Sequence, residues 1–227
     1  MGVPQHYSLD IAMRCQNLIS HLLPTVVAGL PDDKKFGGSL RTTFLLAMAT
    51  PMIVLPIERI FKPVQDETVA DDRELNVKLA ARFADVFGRT MKFKETPFFK
   101  AGWNYISKYP PFNIAREWTN QLLTNLASEE AAYKAATTDA HRILIDLRNA
   151  LAHGGVVYLD KYGRNITDGE AAIFAFVAAK KDKKNIIGLN ILRISESDFL
   201  GFLEAWMDWV QNSPVANSLR DVSAFAA

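Results

Sequence analysis

The chain has 227 residues and a mass of 25.4 kDa, enough for a well-buried core, and 49% hydrophobic against 22% charged residues is the balance of a soluble globular protein. A formal charge of +1 excludes a basic face as a general attraction for nucleic acid or an anionic membrane, so any such site has to be a local patch. The single cysteine, Cys15, excludes an intrachain disulfide; without a CxxC or Cys/His cluster no metal site is expected, and a reducing cytoplasm is the natural compartment.

The first ten residues, MGVPQHYSLD, lack the basic start and apolar core of a signal peptide. Ser8 can cap a helix from Leu9 to about Leu23, with Ile11, Cys15, Leu18, Ile19 and Leu22 at helical spacing. Pro24 and then Gly29-Leu30-Pro31 end it, and Asp32 to Gly38 reads as a surface loop. Ser39 caps a second helix that holds the most apolar run, Phe44 to Ile57. That run has 14 uncharged residues, short of the ~20 that span a bilayer. Pro51 and Pro56 cut it, so a buried, kinked core helix is expected and no membrane partner. Glu58 and Arg59 follow it directly.

Asp71 and Asp72 begin a third helix reaching about Phe87, with Leu75, Leu79, Phe83 and Phe87 at four-residue steps. From Met91 to Phe112, Lys92, Lys94, Lys100 and Lys108 are interleaved with Phe93, Phe98, Phe99, Trp103, Tyr105 and Tyr109. Such a stretch can be a stacking and phosphate-binding surface for single-stranded RNA. Since aromatics are mostly core material, a connector with buried rings and solvated lysines is the preferred reading. Asn113 caps a fourth helix to about Ala127. A fifth starts near Thr137 or Thr138 and runs through Ile143, Leu144, Leu147 and Leu151 to His153.

Beyond Gly155 the pattern turns strand-like. Val156 to Leu159, Ile173 to Val177 and Ile186 to Ile194 are β-rich runs joined by turn-like segments at Lys161 to Asn165 and Lys180 to Asn185. Ser195-Glu196-Ser197-Asp198 resembles a capping box, and the last helix buries Phe199, Phe202, Leu203, Trp206 and Val210. The tail from Asn212 has no such pattern. The expected architecture is mainly α: one domain over 1–227, with a five-helix core (8–155), then a small antiparallel β-meander and a C-terminal helix (156–211).

The stretch that carries chemistry is Leu147-Arg148-Asn149-Ala150-Leu151-Ala152-His153-Gly154-Gly155, at the end of the fifth helix. With 12 arginines and 4 histidines in the chain, chance gives about 0.2 arginine–histidine pairs at this spacing, and about 0.01 once asparagine must follow the arginine. Asn149 and His153, four apart, share a helix face. Arg148 lies about 7.5 Å along the axis from His153 and ~140° around it, so the two converge on one group only at its edge or across two facing copies of the helix. The bland alternative is that Arg148 and Asn149 satisfy a buried network while His153 helps end the helix.

This segment resembles the HEPN superfamily (higher eukaryote and prokaryote nucleotide-binding domains), whose signature is an arginine, usually a polar residue such as asparagine, and a histidine four to six residues after the arginine. The preceding helices, with their kinked apolar second helix, are similar to the HEPN bundle over about residues 8–155, and the remainder looks like an elaboration found in some bacterial stand-alone members. The resemblance implies a homodimer that cleaves RNA without metal or cofactor at the dimer interface. In that scheme His153 transfers the proton for attack by the ribose 2′-OH, Arg148 binds the phosphate, and Asn149 orients His153 or the scissile group. Glu58 or Arg59 would supply the further polar residue some members place there, although Glu58 is equally suited to pairing with Arg148. Toxins of this superfamily that are paired with a nucleotidyltransferase antitoxin often carry tyrosine two residues after the histidine. That position is Gly155 here and Tyr158 is the nearest tyrosine, which argues against that route of control.

The expectation is therefore an endoribonuclease of the toxin or anti-phage defence kind, with RNA as substrate and an antitoxin or other regulatory protein as partner. The competing expectation is a non-catalytic HEPN module that dimerises or binds a nucleotide or a protein. No P-loop, GxGxxG, HExxH or GxSxG suggests another chemistry.

Overall fold

Six consecutive residues, Ile173 to Ala178, are buried in a single strand, so the sheet that contains them is covered on both faces. Such a strand needs an unbroken apolar run rather than alternation, and Ile-Phe-Ala-Phe-Val-Ala supplies one. A computed structural model of the chain describes residues 6–30, 35, 39–62, 70–88, 91–166, 169–182 and 185–211. The sheet has four antiparallel strands, β1 (Asn104–Tyr109), β2 (Val156–Leu159), β3 (Ile173–Asp182) and β4 (Asn185–Ser195), in the order β1-β4-β3-β2. Phe174, Phe176, Leu192 and Ile194 turn one face into the main core. Ala175, Val177 and Ile191 turn the other towards Trp118, Leu122 and Leu126.

Seven α-helices make up most of the rest of the described residues: α1 (Ala12–Ala28), α2 (Arg41–Pro56), α3 (Val77–Gly88), α4 (Asn120–Leu126), α5 (Glu129–Thr137), α6 (Ala140–Ala152) and α7 (Glu196–Gln211). The helical majority, the small antiparallel sheet and the terminal helix agree with expectation. The α7 aromatics Phe202, Trp206 and Trp209 pack edge-on and tilted against Phe83, Phe93, Phe98 and Trp103, which binds α3 and the 91–103 segment to the terminal helix.

Helix α2 continues through a π-helical turn, Ile57–Phe61, to 21 residues, and by length and composition alone it could cross a membrane. In this fold Leu45, Ala49, Met52, Ile53, Ile57 and Ile60 are core residues. Pro56 has no N–H to give the Met52 carbonyl; the buried Trp206 indole donates to it instead at 2.9 Å. A tertiary hydrogen bond thus makes good what the proline removes, and the helix continues.

Several expected boundaries change. The first helix passes through Pro24 to Ala28, and Ser8 lies in a π-helical turn (Tyr7–Ile11) and makes no cap. The third starts at Val77 rather than Asp71, because Asp72 is drawn into tertiary bonds. Asn113 starts a turn, not a helix, its side chain accepting from Ala115 N at 3.0 Å; Thr119 and Ser128 instead cap two short helices, α4 and α5, the second of them not anticipated. The sixth begins after Asp139, just past Thr137 and Thr138. The Met91 to Phe112 stretch buries Phe93, Phe98, Trp103 and Tyr105 as expected, yet it is no simple connector: it contributes β1, which pairs with β4. Most of the expected 32–38 loop and the tail from Asn212 lie outside the described residues.

Asp72 shows how the turn after α2 is held. It is 1% exposed and accepts from Arg59 Nε at 3.0 Å, Arg59 Nη2 at 2.8 Å and Ser8 N at 3.0 Å. Burial pushes its carboxyl upward, but the bonds from Arg59 and Ser8 and the guanidinium charge outweigh this and hold it below the usual carboxylate range. A carboxyl with a folded pKa below the unfolded one stabilises fully above the unfolded value, about 4, and that contribution is lost as pH falls through the folded pKa. Asp72→Asn is expected to cost roughly 1.5–3 kcal/mol near neutral pH and to flatten the acid side of a stability–pH curve measured by urea unfolding. An acid limb as steep as that of the unmodified protein would count against this account.

Candidate functional site at the end of helix α6

Helix α6 ends where two glycines perform different tasks. Gly154 has φ +70°, the left-handed conformation that closes a helix, and Gly155 N donates back to Ala150 O at 2.8 Å. Gly155 then lies flat on β3: Val177 N donates to its carbonyl at 2.7 Å, and a Cβ at Gly155 would stand 2.1 Å from Val177 O. This fixes the last turn of α6, and so His153, against the sheet.

The middle of α6 is tied down by Asp146, which sequence patterning did not single out. It is 5% exposed and accepts from Tyr105 Oη at 2.8 Å and from Asn190 Nδ2 at 3.0 and 3.1 Å, with Arg142 Nε at 3.7 Å. Burial pushes the Asp146 carboxyl above its usual range against the pull of those donors. Burial, then the Asp146 charge, also drives the Tyr105 phenol upward. The network locks α6 to β1 and β4.

Arg148 turns away from the sheet. Its guanidinium pairs with Glu58 in the π-helical turn after α2, and Glu58 also meets Lys62 Nζ at 3.1 Å. Arg148 is 11% exposed at its side chain, donates to Asn149 Oδ1 through Nη1, and keeps its buried Nε without a hydrogen-bond partner among the described residues. Burial lowers its pKa from the ordinary arginine value, without neutralising a guanidinium near pH 7. Arg59 faces elsewhere, bound to Asp72 and stacked over Tyr7 at 5.1 Å. Of the two accessory residues considered, only Glu58 therefore meets the signature.

Asn149 and His153 share an open cleft of about 550 Å³, and His153 is exposed. Arg148 does not line it. Asn149 is the physical link, facing the cleft with His153 while its oxygen holds Arg148. Phe112, Ile114, Lys181 and Ile186 also form the cleft. Phe112 closes the lysine- and aromatic-rich stretch from Met91 and Lys181 lies in the turn-like segment from Lys180, but nothing in the sequence brings these two distant segments, or Ile114 and Ile186, to one cleft. Among the described residues, no group of three or more His, Cys, Asp or Glu is placed to hold a metal ion.

A HEPN family, pEK499 p136, matches residues 1–216. The chain belongs to this HEPN family. No curated protein and no solved structure matches it. HEPN domains are often ribonucleases or nucleotide binders, and they commonly dimerise and bind RNA. The match covers all four strands and α7 and so extends past residue 155, where the resemblance in sequence stops. The arginine-to-histidine spacing that suggested the family lies on the last turns of α6, where the geometry exposes the histidine and anchors the arginine.

Proposed function

We propose that this HEPN protein is a metal-independent endoribonuclease of the toxin or anti-phage defence kind, acting as a homodimer in the cytoplasm under the control of an antitoxin or other regulatory protein. The observation that carries the reading is the end of α6, where an exposed imidazole and an amide share an open cleft and a charged guanidinium is held one residue from that amide. His153 takes the proton of the ribose 2′-OH as its oxygen attacks phosphorus, or returns one to the departing 5′ oxygen. The P–O5′ bond breaks, leaving a 2′,3′-cyclic phosphate and a 5′-hydroxyl. Arg148 offsets charge on the phosphoryl oxygens. Since Arg148 and His153 of one protomer do not line the same cleft, the working site is assembled from two copies of α6 facing each other about a twofold axis.

One observation favours a second reading. Arg148 is already engaged by Glu58, as a structural arginine would be, which suits a HEPN module that dimerises or binds a nucleotide or partner protein without chemistry. Purified protein incubated with mixed RNA, with and without EDTA, separates the two. Cleavage that survives EDTA and leaves cyclic phosphate ends is expected, from a particle of dimer mass by light scattering. RNA binding with no cleavage under either condition would replace the nuclease reading with the module.

A further inference from the structure

The cleft beside His153 has walls that proton transfer does not require. Phe112 and Ile186 both line it, together with Val177 and Ala178 of β3. Phe112 makes edge-on contacts with Tyr109 at 5.8 Å and Trp118 at 5.6 Å, which hold its ring in place. Ile186 is 50% exposed near the start of β4, a large apolar side chain with no core to fill. The polar groups sit around this slot: His153 and Asn149 from α6, and the exposed Lys181 from β3.

An apolar slot edged by an imidazole, an amide and an ammonium suits a flat heteroaromatic ring that carries a phosphate. Its volume of about 550 Å³ fits one such unit. Single-stranded RNA presents that unit, because its unstacked bases can be splayed out onto aromatic side chains while lysines meet the backbone. We infer that Phe112 and Ile186 clamp one unpaired base of a single-stranded RNA beside the phosphate that His153 reaches. The identity of the ligand rests on the RNA-cleavage reading; the slot itself does not. Phe112 is thereby a substrate-binding residue, and the 110–114 segment, which has no part in the arginine–histidine signature, sets which nucleotide is presented for cleavage.

The test is fluorescence anisotropy with a short labelled single-stranded RNA, in the His153→Ala background so that cleavage does not interfere. Phe112→Ala is expected to raise Kd roughly tenfold and Phe112→Tyr to restore it, in line with base–aromatic stacking. Ile186→Ala should weaken binding in the same direction without disturbing the core. An RNA carrying an abasic nucleotide in the slot should lose the same factor on the parent and nothing further on Phe112→Ala. Should Phe112→Ala fail to melt cooperatively, Ile186→Ala and the abasic RNA decide the matter. Binding within about twofold of the parent for the folded variants, where stacking demands more, overturns the inference, as does a parent that binds no RNA. Phe112-dependent binding by a protein that cleaves nothing ends the nuclease reading and leaves the slot; cleavage by a protein whose binding ignores Phe112 and Ile186 does the reverse.

Discussion

Replacing His153 with alanine is expected to slow RNA cleavage by about 10²- to 10⁴-fold, the usual contribution of a positioned proton-transfer group, while leaving the melting curve nearly unchanged. The reason for the second half is local. His153 is exposed, and the helix-end bond at this position, to Asn149 O at 3.1 Å, is made by its backbone N–H and survives the substitution. Arg148→Ala is the informative contrast. It removes a mostly buried guanidinium from Glu58 and Asn149 and leaves that carboxylate with Lys62 alone. A loss of roughly 1.5–3 kcal/mol of stability is expected to accompany its loss of activity. Arg148→Lys keeps the charge but not the fork that reaches two partners at once, so it should rescue stability better than cleavage. Cleavage by His153→Ala at the unmodified rate would remove the imidazole from the mechanism.

Gly155→Ala is expected to be the most damaging small substitution in this region. The added carbon has no space: at 2.1 Å from Val177 O it forces either α6 or β3 to move, and the Val177 N to Gly155 O bond of 2.7 Å goes with it. Backbone, unlike a long side chain, cannot swing aside, so a cost of about 3 kcal/mol is expected. For a chain of this length that corresponds to a melting temperature lower by about 6–12 °C. Gly154→Ala provides the control. Its Cβ would meet nothing within 4 Å, and only its φ of +70° penalises the change, by about 1–2 kcal/mol. Differential scanning fluorimetry of the two variants separates a steric cause from a conformational one; equal losses would refute the steric account. The same contact explains why a tyrosine two residues after the histidine is not compatible with this chain, since that position admits no side chain at all.

Much of α6 was legible in advance because its determinants are local. Ile143, Leu144, Leu147 and Leu151 repeat at the helical period and are all buried. The glycine pair stops the helix where it should. Placing Asn149 and His153 on one side follows from four-residue spacing alone, and both do face one cleft. Helix α7 and strands β2, β3 and β4 were readable for similar reasons, each being an apolar pattern long enough to show its period. Strand β1 was not, because Asn104 to Tyr109 lies within a stretch crowded with lysines and rings, and only its pairing with β4 distinguishes a strand from a connector. Alanine-rich α5 has too few large apolar residues to reveal a buried stripe.

The arrangement around the signature was settled at longer range. Whether Arg148 pointed at Glu58 or at the groove beside His153 depended on where the turn after α2 came to rest, some ninety positions earlier in the chain. Asp146 became a fixed point only because Tyr105 and Asn190 arrived on neighbouring strands. Phe112 and Ile186 line one cleft only because the segment after β1 and the start of β4 come together there. Short-range periodicity specifies which face of a helix a residue occupies, since that is geometry within a few turns. It carries no information about which distant group will lie opposite, because that choice is made by the packing of whole layers, and here that packing decided which of the recognised residues share a cleft.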